Sequence, residues 1–234
     1  MKTIIAEKPS VAREIARIVG ATKREEGYFE GGGYAVTWAF GHLVQLAMPD
    51  GYGIRGFVRD NLPVIPETFT LIPRQEKTEK SYKPDSGVVS QIKIISRLFN
   101  GSEQIIVATD AGREGELIFR YLYHYIGCTT PFVRLWISSL TDKAIREGLR
   151  HLEAGDKYDN LYLAAKARSE SDWLVASTAR RLSPSPPDTA RTPSDGYRHP
   201  RWRWCAHAIG KTAASRWNLS GNSILPLTEA MVIP

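Results

Sequence analysis

The chain is poor in residues that would place it in several large classes. It has two cysteines, Cys128 and Cys205, in 234 residues. They stand far apart and neither belongs to a CxxC pair, so the default is two free thiols and no zinc site. No run of eighteen apolar residues occurs, which leaves no candidate for a membrane-spanning helix. The apolar stretch in the opening MKTIIAEKPS is only a few residues long. That is too short for a signal peptide, and the expected location is the cytoplasm. No internal repeat is evident. What is present is 42% hydrophobic residues, enough for a sizeable core, in a length that suits one ordinary domain plus an appendage.

A surplus of one charge is also scarcer than the total suggests. The net charge is +6. Residues 176–234 hold eight Lys/Arg against three Asp/Glu, a net of +5, which leaves 23 against 22 in the first 175. The basic excess therefore lies almost wholly in the tail and marks no basic surface on the body of the protein.

Along that body, short apolar runs alternate with helical patterns. Lys2–Ala6 (KTIIA) reads as a strand, with Glu7 and Lys8 at its end. Ser10 is the expected helix cap, VAREIARIVG carries apolar positions at helical spacing, and Gly20 is the expected stop. Further strands are expected at 34–40, 103–109 and 132–137, and helices at 88–98, 115–125, 141–152 and 159–175. Residues 49–87, rich in Pro, Gly and charge, read as a long loop or insertion. Strands alternating with helices predict an α/β fold, a parallel sheet covered on both faces. Ligands of such sheets bind outside the carboxyl ends of the strands, where Glu7 and Asp110 are both placed.

The densest chemistry is Thr109-Asp110-Ala111-Gly112-Arg113-Glu114-Gly115-Glu116. Acids packed after a strand repel one another unless a cation joins them, and Mg²⁺ takes one or two carboxylates plus water and phosphate oxygens. Arg113 offers a planar fork suited to phosphate. A lone DxxxE is more often a solvated, acidic helix N-terminus. Here it is not alone: Glu7-Lys8 ends the first strand and Gly41-His42 follows the second.

In that order the chain resembles type IA DNA topoisomerases of the topoisomerase III kind. AEKPSVAREIA is similar to the opening motif of their Toprim domain, WAFGHL to its Gly-His motif and ATDAGREGELI to its acidic motif. KARSESDWLV resembles the start of the helical domain that follows. The resemblance covers residues 1–175. It implies a Toprim domain, a Rossmann-like parallel sheet with flanking helices, over 1–153, and the start of a helical domain over 154–175. It implies an ATP-independent, Mg²⁺-dependent enzyme that breaks single-stranded DNA, passes a strand and rejoins the break through a 5′-phosphotyrosine, at the nucleoid.

By the same resemblance, Glu7 assists proton transfer at the DNA 3′ oxygen and helps hold metal, and Lys8 stabilises charge on the phosphate. Asp110 and Glu114 hold Mg²⁺, with Arg113 near the phosphate. His42 contacts DNA, and Arg168 and Asp172 position DNA and the catalytic tyrosine. That tyrosine lies in a later domain of the family, so none of the ten here is a candidate. One departure stands out. The family often reads Asp-x-Asp-x-Glu, and Gly112 occupies the middle position. Either the metal binds more weakly or Glu116 contributes.

Past Val175 the family pattern stops. Residues 176–234 carry the stretch LSPSPPDTARTPSDGYRHPRWRWC, with five prolines and no apolar period. The family continues instead with V-G-I-N and later R-V-Q-T-P-T-L-A-M-V. Both return when the tail is read one base out of register. Allowed codons from the last base of Asp195 onward regroup to RVQTPTLAMVCARYWEN, and Val175–Thr178 regroup to VGIN on restoring one G. Trp202 and Trp204 have one codon each, which constrains the match. The expectation is an out-of-frame, disordered tail after one lost base, and a chain inactive alone. Its P-loop-like Ile209-Gly210-Lys211-Thr212, its glycosylation triplet at Asn218 and its His199, Cys205 and His207 then carry no function.

A rival reading is a stand-alone Toprim protein, either a small Mg²⁺-dependent nuclease or a non-catalytic nucleic-acid-binding module. KARSESDWLV speaks against both, since small Toprim proteins need no such helix. Nicking of single-stranded DNA without a covalent adduct is the sign that separates the nuclease.

Overall fold

The computed structural model describes residues 1–54, 62–77 and 82–182. Two compact units divide the chain, Met1–Gly53 with Pro66–Trp173, and Ile54–Ile65 with Leu174–Pro234. Of the second, residues 54, 62–65 and the helical 174–182 are described.

The run KTIIA forms β1 (Lys2–Ala6), the centre of the main sheet. Next along the chain come α1 (Pro9–Val19), β2 (Lys23–Glu25), β3 (Tyr28–Gly31), β4 (Tyr34–Trp38) and β5 (Val44–Leu46). The 49–87 segment is not one loop. It holds a short 3-10 turn, Pro49–Tyr52, and β6 (Leu71–Pro73), β7 (Gln75–Lys77) and β8 (Tyr82–Pro84). Then follow α2 (Ser86–Asn100), β9 (Gln104–Ala108), α3 (Arg113–Ile126), β10 (Phe132–Arg134), α4 (Asp142–Arg150), β11 (Glu153–Ala154) and α5 (Asp159–Leu182).

The seven-stranded sheet runs β11-β10-β9-β1-β4-β3-β2. Its four inner strands, β10, β9, β1 and β4, are parallel. An antiparallel hairpin, β2–β3, closes one edge and antiparallel β11 the other. Strand alternation sorts the side chains onto two faces. Ile4, Ala6, Val36, Ile106 and Ala108 pack with Val11 and Ile15 of α1 and Ile145 of α4. Ile5, Ile105 and Val107 pack with Ile92 and Ile95 of α2 and Leu117 and Phe119 of α3. The expected α/β sheet with helices on both faces is thus the observed one.

Two local expectations change. The α1 N-cap is Lys8, with no side-chain cap bond, and Ser10 lies inside the first turn, because Pro9 starts the helix. At the other end of the chain, α5 runs on through Val175 to Leu182, so no helix end marks the expected change of frame. The rest of the expected tail, 183–234, lies outside the described residues.

Chain direction creates the site. From β1 the chain crosses through α1 to β4 on one side, and from β9 it crosses through α3 to β10 on the other. Neighbouring parallel strands whose connections diverge leave a crevice beyond their carboxyl ends. That crevice lies between β1 and β9.

Candidate functional site

Three strand ends meet at this edge. β1 and β4 remain joined just past their last paired residues. Ala39 N–H donates to the Ala6 carbonyl at 2.9 Å, and Gly41 N–H to the Glu7 carbonyl at 3.3 Å. Between them the chain turns sharply, with Phe40 at φ 29° and Gly41 at φ 81°. β1 ends in Glu7 and Lys8, and β9 ends in Thr109 and Asp110.

Lys8 bridges the crevice. Its Nζ lies 3.8 Å from Glu7 Oε1 and 3.5 Å from Asp110 Oδ2. Glu7 is largely shielded, its side chain 14% exposed, while Lys8 and Asp110 are open to solvent. On the opposite flank His42 Nε2 lies 3.5 Å from Glu114 Oε2. Arg113, the first residue of α3, is exposed and makes no ion pair among the described residues. The structure therefore gathers Glu7, Lys8 and Asp110 at one point, His42 and Glu114 at a second, and Arg113 beside them at the helix start. Arg168 and Asp172 stand apart on α5, both exposed and paired with each other at 3.7 Å.

The glycines of the acidic motif differ in their need to be glycine. A Cβ built on Gly115 would collide with the Asp110 carbonyl oxygen, so only glycine lets α3 start this close to the strand end. Thr109 fastens the same approach, its hydroxyl donating to the Gly115 carbonyl at 2.8 Å. Gly112 has extended backbone at φ 176°, and a Cβ there would meet open space. No steric demand keeps glycine at that position.

Glu116 is not the missing ligand. Its side chain is 1% exposed and turned inward, against Arg120 Nε at 2.9 Å and Arg134 Nε at 3.1 Å. The Arg134 contact lacks hydrogen-bond alignment and acts by charge. Position i+6 from Asp110 carries the Glu116 side chain under the sheet edge rather than out of it.

That buried pair serves a different end, one the sequence reading missed. Arg134, 1% exposed, donates through Nη1 to the Val107 and Thr109 carbonyls, both at 2.9 Å, and through Nη2 to the Asp110 carbonyl at 2.8 Å. It holds the Thr109 and Asp110 carbonyls just past the end of β9, together with the Val107 carbonyl that also accepts from Leu135 N–H at 2.9 Å, and so fixes the backbone that carries Asp110. Burial pushes the Arg134 guanidinium below its ordinary range and the Glu116 charge pulls it back up. Arg120 extends the network to the Gly155 carbonyl at 2.9 Å and to Asp159 at 2.6 Å. An arginine at the end of a strand pattern, opposite a glutamate inside a helical apolar face, was the available signal.

Among the described residues no group of three or more His, Cys, Asp or Glu side chains comes together as a metal site. The donor set still suits a hard cation. Asp110 and Glu114 are exposed carboxylates flanking the start of α3, and Mg²⁺ keeps several waters and takes one or two carboxylates. It is a lean set, with a lysine already on one of the acids.

An α/β sheet with acids and a lysine at this switch point is the arrangement of a Toprim domain, and the Toprim family model matches residues 2–140. The chain belongs to that family. Among known proteins it is similar to DNA topoisomerase 3 of Bacillus subtilis (strain 168), 46% identical over 180 residues, which are 76% of this chain and 24% of the relative. DNA topoisomerase 3 of Bacillus licheniformis is 45% identical over the same shares, and that of Bacillus cereus 47%. The chain thus spans about a quarter of the length of these relatives. A solved structure, full-length topoisomerase I from Thermotoga maritima, matches with a TM-score of 0.46 and 23% identity, over 74% of this chain and 24% of that one. The topoisomerase III-like resemblance read from the motifs agrees with the Bacillus relatives. Among the described residues no helix is long and apolar enough to cross a membrane.

Proposed function

We propose that this chain is the metal- and DNA-binding Toprim part of a type IA topoisomerase. In the whole enzyme a tyrosine outside this chain attacks a phosphodiester of single-stranded DNA and forms a 5′-phosphotyrosyl link. A second strand passes, and the 3′ hydroxyl reseals the break without ATP. The observation that carries the reading is the meeting of Glu7, Lys8 and Asp110 in the crevice between β1 and β9, with His42 and Glu114 paired beside it.

For the residues gathered at the crevice, placement supports the following roles, and those of Arg168 and Asp172 rest on the family resemblance. Lys8 holds an ammonium where a phosphate would enter, suited to charge that develops during transfer. Glu7, shielded and next to that ammonium, is placed to exchange a proton with the 3′ oxygen. Arg113 offers an exposed fork to a phosphate. Asp110 and Glu114 would hold Mg²⁺, with Glu7 adding charge nearby. The bound cation would neutralise the acids and the phosphate together. His42 would contact DNA, and Arg168 and Asp172 would position DNA and the incoming tyrosine.

Calorimetric titration of Mg²⁺ into the wild-type chain and an Asp110→Asn, Glu114→Gln double variant tests the metal assignment. Binding should be lost in the variant, and unchanged binding would refute it. For residues 176–234 we propose an out-of-frame tail. The matched length of 180 residues is close to the 175 that follow the family pattern. Resequencing the gene across the codons for Val175 and Ala176 decides: a further G there assigns the tail to a sequence error, and none leaves the frame as given.

A further inference from the structure

The turn that carries His42 is held from outside by one side chain. Arg74 follows β6, and its N–H donates to the Leu43 carbonyl at 2.8 Å while its own carbonyl accepts from Asp85 N–H at 3.0 Å. Its guanidinium does more. Nη1 donates to the His42 carbonyl at 3.3 Å, and Nη2 donates to Asp85 Oδ2 at 3.1 Å. Its central carbon lies 5.7 Å from the Phe40 ring centroid. Asp85 in turn caps α2, its Oδ1 accepting from Gly87 N–H at 2.9 Å and Val88 N–H at 3.3 Å. A continuous chain of contacts therefore runs from the start of α2 through Asp85 and Arg74 to the backbone of residues 40–43.

The turn needs such support. Phe40 at φ 29° sits in the left-handed region, which strains a non-glycine residue and persists only where the surroundings impose it. On its inner side the same turn touches both halves of the site, through Gly41 N–H on the Glu7 carbonyl and His42 beside Glu114.

We propose that Arg74 is a positioning residue of the site, clamping the Phe40–Gly41–His42 turn against Glu7 and Glu114 rather than meeting DNA phosphate itself. The inference rests on the functional reading above for what the site binds. A fork that must reach a carboxylate and a carbonyl at once cannot be replaced by a lysine's single ammonium.

The test compares the wild-type chain with Arg74→Ala, Arg74→Lys and Asp85→Ser. Serine keeps the α2 cap but is too short to hold Arg74. The amide signals of Gly41 and His42 are read first by NMR without metal or DNA. Binding of a fluorescein-labelled single-stranded oligonucleotide in Mg²⁺ is read second. All three variants should move the Gly41 and His42 signals while those of Ile4 and Val107 in the sheet stay in place. Binding should weaken by roughly tenfold in each, the scale of a lost hydrogen bond to a charged group. Asp85→Ser keeps the Arg74 charge, so wild-type binding there with weak binding only in the Arg74 variants would mean direct phosphate contact and overturn the proposal. Unmoved turn signals in Arg74→Ala, or sheet signals that move as well, would overturn it too. A wild-type chain that binds neither Mg²⁺ nor the oligonucleotide sinks the functional reading, while the ligand-free signals still judge the clamp.

Discussion

Arg134 and Gly112 show how unequal residues around one loop can be. Arg134 places one buried cation against Glu116 and three carbonyls of the β9 end. Removing one member of a buried ion pair costs about 3–5 kcal/mol, because the partner is left uncompensated. Arg134→Ala should therefore lose stability on that scale in urea denaturation, and the Glu116→Gln, Arg134→Ala double variant should lose less than the two single changes added. Additive losses would show that the pair does not act as a unit. Gly112 is the opposite case. Its φ of 176° suits any residue and its Cβ direction is open. Gly112→Asp should fold with stability within about 0.5 kcal/mol of the wild type, as ordinary surface changes do. It should also bind Mg²⁺ more tightly, since a third carboxylate adds charge at the site. Calorimetry showing unchanged or weaker Mg²⁺ binding would detach position 112 from the metal.

At the scale of elements, α5 carries a titratable misfit. Burial pushes the Glu170 carboxyl above its ordinary range, and Lys166, 3.9 Å away, only partly offsets this. The folded state then holds that proton more firmly than the unfolded chain does. Ionised Glu170 thus costs stability at neutral pH, and the cost fades as pH falls through the raised folded-state value toward the usual glutamate range near 4.3. Glu170→Gln should raise Tm at pH 7, with the gain shrinking as the pH is lowered to 4. A gain that persists or grows at pH 4 would put the burial penalty elsewhere.

Elements of this length were also the legible ones. The five helices and β1, β4, β9 and β10 showed in the sequence because their apolar periods extend over five or more residues or end in Gly20 and similar stops. β2, β3, β5 to β8 and β11 did not, since strands of two to four residues, polar as in Lys23–Glu25 and Gln75–Lys77 or too short to show a period as in Val44–Leu46, are fixed by pairing with a neighbour. The three-residue β10 showed because its apolar run continues to Ile137. The same division holds at the site. Glu7, Lys8, Asp110 and Glu114 follow from motif and strand end. Arg74 and Arg134 act through contacts 32 and 24 to 27 residues away in sequence, which no local spacing reveals.

For the whole molecule, the question is how much chemistry one sheet edge can hold. On the proposed function, Glu7, Lys8, Arg113, Asp110 and Glu114 would bind a cation and a phosphate, orient them and move a proton. They include no nucleophile that could form a lasting covalent link to DNA. Among the described tyrosines, Tyr121 and Tyr158 are buried, and burial, together with the Glu153 bond, pushes the Tyr158 hydroxyl up to about 12, far from an attacking phenolate. A chain matching 24% of its topoisomerase relatives is thus expected to retain binding without turnover. Supercoiled plasmid incubated with the 234-residue chain and Mg²⁺ should remain supercoiled, and denaturing gels should show no protein–DNA adduct. Nicked plasmid without an adduct would turn the reading toward a hydrolytic Toprim nuclease, with water taking the place of the tyrosine. Relaxation accompanied by an adduct would mean that a nucleophile resides in these 234 residues, and the assignment of the covalent step to a tyrosine elsewhere would be wrong.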